Sequence, residues 1–341
     1  MKTHDSIIKY GSLEDLGKEI KNHKPSGKMA IITDENVGGL LLDRVKSSLA
    51  AEGFDYLEVI IPPGEESKNG DTYLDILNKL AEAELTRSDG IIALGGGVVG
   101  DLAGFAAATY LRGVDYYQVP TTLLAMVDSS IGGKTGIDLD YGKNLAGAFY
   151  FPGFVFTDIT LLKTLPFIEM KNGMAEIIKY GIIEGGSLWK DINENWDTKL
   201  KDIIVRCQEI KTRIVKNDPL DKGERKLLNL GHTLGHGIEK LSNYEVKHGL
   251  AVAMGIYEIT AIASKKNWCS QERAEEIIKC LEKRPFKYEK NTAYSKDSLY
   301  EAIKTDKKRR GDSIDIIVPV EIGKCEIKTI SMDELKELLN E

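Results

Sequence analysis

Apolar and polar positions follow two different periods in the first half of the chain. Short apolar runs at 28–34, 56–61 and 90–94 predict buried strands, and the segments 40–52 and 71–83 repeat apolar residues at helical spacing. Pro62, Pro63 and Gly64 end the second of these strands. Because strand and helix signals alternate, this half predicts a parallel sheet covered by helices.

Beyond about residue 161 the apolar positions are spaced mainly as in helices. A hairpin predicted from segments 313–318 and 325–330 interrupts this pattern, and Ser331 with Glu334 forms a capping-box pattern that opens the last helix. The sequence therefore predicts an α/β, Rossmann-like parallel-sheet domain over residues 1–162 and a mainly α-helical domain over residues 163–341. The predicted helices of the second domain are 166–180, 200–216, 225–241, 250–266 and 271–282.

Composition excludes several classes of protein. The 341 residues are 42% hydrophobic and 29% charged, with a net charge of −7, which indicates a globular protein without a nucleic-acid partner. No apolar run approaches the roughly 18 residues that span a bilayer, and the first residues lack the apolar core of a signal peptide. Four cysteines without metal-type spacing indicate reduced thiols. We expect a cytoplasmic protein that does not bind membranes.

The histidines are the strongest chemical signal. Only five exist, and three of them are His232, His236 and His248. A gap of four residues places His232 and His236 on one face of a helix, and the same spacing backwards adds Asn229 and Arg225. Core stripes are apolar, so this polar stripe predicts a metal or catalytic site, with core packing as the alternative. Spacing alone makes His236 a further metal ligand.

A glycine run is the second signal. Gly95, Gly97 and Gly100 fit the pattern G-x-G-x-x-G between a predicted strand and a helix that starts at Asp101. Backbone N–H groups at such a helix start can hold a pyrophosphate. No acidic residue ends the next strand, so Asp34, at the tip of an earlier strand, is the candidate for a ribose hydroxyl. The alternative is that the glycines serve close helix–sheet packing.

Lysines beside small residues are the third signal. Lys134 and Lys143 lie among glycine and hydroxyl residues, which suits an oxyanion because backbone donors can approach it while the ammonium supplies charge. Glu176 and Lys179 stand three residues apart on an otherwise apolar helix. Lys134, Lys143 and the pair of Glu176 and Lys179 together predict a compact anionic ligand. The alternatives are a solvated loop for each lysine and a simple ion pair for Glu176 and Lys179.

These segments together resemble the 3-dehydroquinate synthase family, in order along nearly the whole chain. The resemblance implies an NAD-binding first domain, a metal-binding second domain and a homodimer. It also implies conversion of the sugar phosphate 3-deoxy-D-arabino-heptulosonate 7-phosphate to 3-dehydroquinate and phosphate, the second step of the shikimate pathway towards chorismate and the aromatic amino acids. NAD would be reduced and reoxidised within one turnover. The segments that carry the resemblance are 95–101, 118–124, 127–135, 142–144, 175–180, 227–232 and 306–308.

The resemblance also implies roles for individual residues. Glu176, His232 and His248 match the ligands of zinc or cobalt, and His236 matches a catalytic residue beside the metal. The residues that match NAD contacts are Asp34, Asn36, Glu65, Lys68, Gly96, Gly97, Val98, Asp101, Thr121, Thr122, Leu124, Asp128, Ser129 and Lys143. The residues that match substrate contacts are Arg112 (from the other subunit), Lys134, Asn144, Lys179, Lys211, Arg225, Asn229 and Lys307, with Lys308 as the competitor of Lys307.

Three alternatives are weighed against this interpretation. Another sugar-phosphate cyclase would keep the metal and NAD residues, but Asn229 and the run from Asp306 to Lys308 favour dehydroquinate synthase. A metal-dependent polyol dehydrogenase would share the glycine run and has no use for so many phosphate-type lysines. A regulatory NAD-binding protein without catalysis would not need a complete ligand set.

Overall fold

The computed structural model describes residues 7–24, 26–284, 294–304 and 312–340. The chain forms two compact units, Met1–Pro166 and Phe167–Glu341. No helix in the described ranges is long and apolar enough to cross a membrane. Cys207, Cys269 and Cys280 are buried free thiols, and Cys325 is a partly buried one.

A parallel sheet of six strands forms the centre of the first unit. Its order is β1-β8-β5-β4-β2-β3, where the bounds are β1 Ile8–Tyr10, β2 Lys28–Asp34, β3 Asp55–Ile61, β4 Gly90–Gly95, β5 Asp115–Pro120 and β8 Val155–Thr157. Every residue of β4 is buried, as expected for a strand covered on both faces. The predicted parallel sheet is thus confirmed, and two short strands are additions to it: β1 at one edge and β8 between β1 and β5.

The helices of the first unit bury apolar side chains against this sheet. They are α1 Leu16–His23, α2 Glu35–Ala51, α3 Gly70–Glu82 and α4 Gly97–Thr109. Leu102 and Ala106 of α4 belong to one buried cluster with Ile91 and Ala93 of β4. The predicted start of α4 at Asp101 was wrong, because the helix begins at Gly97 and so includes part of the glycine run.

A separate antiparallel hairpin packs against α4. Its strands are β6 Lys134–Leu139 and β7 Gly142–Phe149, and a π-helix, Ala125–Ser129, precedes it. The sequence analysis predicted no regular structure here. The hairpin therefore holds Lys134, Lys143 and Asn144 on paired strands rather than on a free loop.

The second unit is mainly helical. The predicted hairpin is confirmed as β9 Ser313–Glu321 paired with β10 Lys324–Ser331, and the hydroxyl of Ser331 accepts a hydrogen bond from the backbone N–H of Glu334 (3.1 Å) at the start of the last helix. The helices are α5 Phe167–Glu184, α6 Gly186–Glu194, α7 Trp196–Asn217, α8 His232–Leu241, α9 His248–Lys265, α10 Gln271–Glu282, α11 Lys296–Lys304 and α12 Met332–Asn340.

One predicted helix of this unit was wrong. Residues 225–241 form a 3-10 helix, Glu224–Asn229, followed by α8, and Gly231 with φ of +77° separates the two. A Cβ at Gly231 would lie 2.6 Å from the carbonyl oxygen of Val252, so only glycine fits this turn. Arg225 and Asn229 therefore do not share a helix face with His232 and His236.

Candidate metal centre and cofactor site

Three helices of the second unit bring Glu176, His232 and His248 together. Glu176 is fully buried on α5, while His232 and His248 are the first residues of α8 and α9. The Oε1 of Glu176 lies 3.7 Å from Nε2 of His232 and 3.4 Å from Nε2 of His248. Their ligand-type atoms all lie within 4.8 Å of one another. Two imidazoles and a carboxylate are donors that a catalytic zinc ion takes, with coordination positions left for substrate.

A close contact between two helices positions His248. The backbone N–H of Gly249 donates to Oδ1 of Asn172 on α5 (2.5 Å). A Cβ at Gly249 would lie 1.9 Å from the carbonyl oxygen of Asn172, so no larger residue allows this approach. The first turn of α9 consequently lies against α5, which places the His248 ring beside Glu176.

The second nitrogen of each ligand-type histidine also has a partner. His232 Nδ1 lies 3.1 Å from the carbonyl oxygen of Leu230, and His248 Nδ1 lies 3.2 Å from Oε2 of Glu239. With a proton on Nδ1, each ring presents Nε2 towards Glu176. Burial alone would lower the pKa of His248, but hydrogen bonds to Glu176 and Glu239 raise that pKa to about 10. Glu239 was not predicted as a site residue, although its position three residues after His236 on the same helix was a usable signal.

His236 lies in a second group of side chains. Its ring centroid is 5.6 Å from that of His232 and 6.0 Å from that of His248. Its ligand-type atoms group with those of Glu239 and His248, whereas Glu176 groups with His232 and His248. The geometry thus separates His236 from the group that contains Glu176, although spacing alone made it a further ligand.

Lys179 forms an ion pair with Glu176. Its Nζ lies 2.5 Å from Oε2 of Glu176, and the side chains are 1% and 0% exposed. A buried carboxylate needs a nearby positive charge to offset the cost of its burial. The ion pair between Glu176 and Lys179, which the sequence analysis gave as an alternative, is therefore present in the structure. Oε2 of Glu176 contacts the ammonium, while Oε1 faces the two imidazoles.

Other substrate candidates of the second unit are buried cations. Arg225 is 3% exposed and donates through Nη1 to the carbonyl oxygen of Pro219 (2.8 Å), and Lys211 on α7 is 7% exposed. The loop before Arg225 folds around the carboxylate of Asp218, which accepts hydrogen bonds from the backbone of Lys222, Gly223 and Arg225. Asn229 ends the 3-10 helix and is partly buried. Lys307 and Lys308 lie outside the described residues.

Five predicted residues of the first unit form a polar network. Lys68 Nζ lies 2.6 Å from Oδ2 of Asp101, 2.5 Å from Oδ1 of Asn144 and 3.9 Å from Oε1 of Glu65. Lys143 Nζ lies 3.6 Å from the same oxygen of Glu65. Burial would lower the pKa of Lys68, but Asp101 and Glu65 raise it above its usual value. Lys68 is therefore a buried, charged amine.

Asp138 of β6 is a member of this network that the sequence analysis missed. Its Oδ1 accepts the backbone N–H of Asn144 (2.7 Å), and its own N–H donates to the carbonyl oxygen of Lys68 (2.7 Å). Asn144 has φ of +54°, a conformation that side chains adopt at a cost. Burial raises the pKa of Asp138. Asp138 thus holds Asn144 and Lys68 in place.

The glycine run forms a cradle at the start of α4. A Cβ at Gly96 would lie 3.0 Å from Cγ2 of Thr122, and one at Gly97 would lie 3.1 Å from Oγ of Ser129. Within the described part of the chain, the hydroxyls of Thr121 and Ser129 are buried and have no hydrogen-bond partner. Donors beside a helix N-terminus fit a pyrophosphate. Close packing explains the other two glycines, since a Cβ would lie 2.6 Å from Val99 at Gly95 and 2.7 Å from Gln118 at Gly100.

The remaining predicted residues take simpler positions. Oδ1 of Asp34 accepts the backbone N–H of Val37 (3.0 Å) and so caps α2. Lys134 is exposed at the first position of β6, and Arg112 is exposed in a turn where its φ is +66°. Asn36 is exposed, and the partly buried candidates are Val98, Leu124 and Asp128.

Family comparisons cover most of the chain. The model of the 3-dehydroquinate synthase N-terminal region matches residues 58–172, and the model of the C-terminal region matches residues 173–309. The chain belongs to the 3-dehydroquinate synthase family. It is 41% identical to the 3-dehydroquinate synthase of Clostridium acetobutylicum over 343 residues, which is 99% of this chain and 96% of that protein. It is 43% identical to the Clostridium botulinum synthase over 98% of this chain and 97% of that protein.

Solved structures confirm the predicted fold class. A 2-deoxy-scyllo-inosose synthase, solved with carbaglucose-6-phosphate, NAD+ and Co2+, superposes with a TM-score of 0.87 at 26% identity, over 97% of this chain and 95% of that one. The 2-epi-5-epi-valiolone synthase of Streptomyces hygroscopicus, solved with NAD+ and Zn2+, gives 0.86 at 21%, over 100% and 96%. The butanol dehydrogenase A of Thermotoga maritima gives 0.65 at 16%, over 100% and 98%. The last two show the fold alone.

Proposed function

We propose that this protein is a phosphate-eliminating carbon–oxygen lyase that converts 3-deoxy-D-arabino-heptulosonate 7-phosphate to 3-dehydroquinate and phosphate. The observation that carries the proposal is 41–43% identity to 3-dehydroquinate synthases over 98–99% of the chain. Identity to the solved cyclase that makes another carbocycle is 26%, and identity to the butanol dehydrogenase is 16%. Both alternative functions are therefore less well supported.

The three side chains that could bind a metal ion support this function. Glu176, His232 and His248 would hold zinc or cobalt, since two imidazoles and a buried carboxylate converge there. When bound, such an ion polarises a hydroxyl or ketone oxygen of the substrate. The related structures were solved with Co2+ in one case and Zn2+ in the other. His236 lies beside this set and would move a proton to or from the substrate.

The first unit supports NAD as the cofactor. At the start of α4, the missing side chains of Gly96 and Gly97 would let a pyrophosphate approach the backbone closely. The hydroxyls of Thr121 and Ser129 could donate hydrogen bonds to it. NAD held by these residues would supply a hydride acceptor and, later in the same turnover, a hydride donor, so the reaction would show no net redox change. The charged network around Lys68 would meet polar groups of the cofactor.

The basic residues would bind the sugar phosphate. Ammonium and guanidinium groups hold a phosphate dianion and stabilise its charge as it leaves. Protein amide and ammonium groups that hydrogen-bond to the substrate hydroxyls would then orient the ring-opened chain for aldol closure. The residues that we assign to the substrate are Arg112, Lys134, Asn144, Lys179, Lys211, Arg225, Asn229 and Lys307, and we assign Lys143 to both the cofactor and the substrate.

We further propose that residues 1–162 bind NAD and residues 163–341 bind the metal and most of the substrate. A homodimer in the cytoplasm is part of the same proposal, because Arg112 would reach the substrate of the other subunit. Its exposed position in a turn is compatible with that role.

Product analysis tests the proposed reaction. The purified protein is incubated with the sugar phosphate, NAD and zinc, and the carbocycle is identified by NMR while free phosphate is measured. We expect 3-dehydroquinate and phosphate in equal amounts. A different carbocycle would assign the chain to another cyclase, and oxidation of a simple polyol without phosphate release would assign it to the dehydrogenases.

A further inference from the structure

Glu239 is a buried carboxylate to which the proposed function gives no role. It lies on α8 and is 4% exposed. His236, three residues earlier, and His232, two helical turns earlier, lie on the same face of α8. Burial of a carboxylate is costly unless a hydrogen-bonding partner compensates it.

That partner comes from another helix. Oε2 of Glu239 lies 3.2 Å from Nδ1 of His248, and Nε2 of the same ring lies 3.4 Å from Oε1 of Glu176. The two nitrogens of His248 therefore contact two different carboxylates. Ser242 and Tyr244 donate hydrogen bonds to the backbone carbonyl of Glu239 (2.8 Å each), which anchors the end of α8 that carries it.

We propose that Glu239 is a positioning residue for the metal centre, which orients the ring of His248 and keeps its proton on Nδ1. A neutral imidazole carries one N–H, and a carboxylate at Nδ1 holds that proton there. A metal ion bound between Glu176 and His232 would take the place of the proton on Nε2, so that the Nε2 lone pair would face the ion. The negative charge also makes the imidazole a stronger donor. This proposal rests on the proposed metal site.

The arrangement links two helices that carry ligands. Glu239 belongs to α8, which begins with His232, and its contact fixes the ring of His248 on α9. Loss of the carboxylate would free the His248 ring to rotate, while Glu176 and His232 would keep their places. We therefore expect weaker metal binding rather than its complete loss, on the usual scale of about 10–100-fold for an outer partner of a ligand.

Metal titration of two variants tests the proposal. Zinc is removed from the wild type, Glu239→Ala and Glu239→Gln, and each protein is titrated with zinc against a coloured chelator. We expect the zinc Kd of Glu239→Ala to rise about 10–100-fold. The amide oxygen of Glu239→Gln still accepts the Nδ1–H, so its Kd should rise less. The visible spectrum of the cobalt-loaded proteins should change for Glu239→Ala and stay close to that of the wild type for Glu239→Gln.

Thr260→Ala is the matched control. Thr260 lies on α9, the helix that begins with His248, and is fully buried. Its hydroxyl donates to the carbonyl oxygen of Ile256 (2.6 Å) and does not contact Glu176, His232 or His248. Its zinc Kd and cobalt spectrum should equal those of the wild type. The proposal is overturned if Glu239→Ala binds zinc as the wild type does, or if Thr260→Ala loses as much affinity. A wild type that binds no stoichiometric zinc would instead overturn the proposed metal site.

Discussion

Gly249→Ala tests how the helix contact builds the metal centre. The new Cβ would lie 1.9 Å from the carbonyl oxygen of Asn172, and side-chain carbons do not approach other atoms within 3.0 Å. The backbones of α5 and α9 must therefore part by about 1 Å at this contact. Metal–ligand distances stay within about 0.2 Å of their standard values, which is much less than this shift. His248, the neighbouring residue, would leave its place beside Glu176.

We expect weaker zinc binding, turnover reduced about 10²-fold by a displacement of this size, and a loss of about 1–3 kcal/mol of stability from overpacking. Zinc affinity is measured by chelator competition, turnover by phosphate release and stability by urea unfolding of the metal-free protein.

Ile277→Ala is the control for lost stability. Ile277 is fully buried on α10, and its truncation should cost about 2–5 kcal/mol without moving α5 from α9. It should therefore keep the zinc affinity of the wild type. Normal zinc affinity and turnover in Gly249→Ala would refute the reasoning, as would equal losses of zinc affinity in both variants.

Three further substitutions separate the roles of the polar residues. His236→Ala should keep stoichiometric metal, measured by atomic absorption, and slow turnover about 10²–10⁴-fold as a proton-transfer group does; loss of the metal would show that His236 is a ligand. Lys134→Ala should reduce phosphate release more than NAD affinity, since its ammonium addresses the leaving group; equal losses in kinetics and in NAD titration would contradict this. Asp138→Ala should raise the KM for the sugar phosphate about tenfold by releasing Asn144 from its left-handed conformation, and an unchanged KM would contradict that role.

Short apolar runs and helical spacing made much of the fold predictable from the sequence. The runs predicted β2, β3 and β4, and the spacing predicted most helices, because burial selects apolar residues at those positions directly. The break at Gly231 was not predictable, since the helical period continues through it and a positive φ leaves no mark in the pattern. The strands β1 and β8 have three residues each, too short for a period to appear.

The site was only partly predictable for a similar reason. The histidine spacing pointed to His232, His236 and His248, and the structure brings these rings together. Glu239 and Asp138 were missed because single acidic residues on a helix or a hairpin usually face solvent. Their burial and their contacts with residues of other elements become visible only in three dimensions.

Redox balance tests the central claim most directly. The metal-loaded protein is given excess sugar phosphate and a trace of NAD, and phosphate, 3-dehydroquinate and NADH are measured in the same reaction. If NAD is reduced and reoxidised within each turnover, one phosphate should appear per 3-dehydroquinate, many turnovers should occur per NAD, and NADH should not accumulate. A reaction that stops after one turnover per NAD, with equivalent NADH formed, would contradict the account.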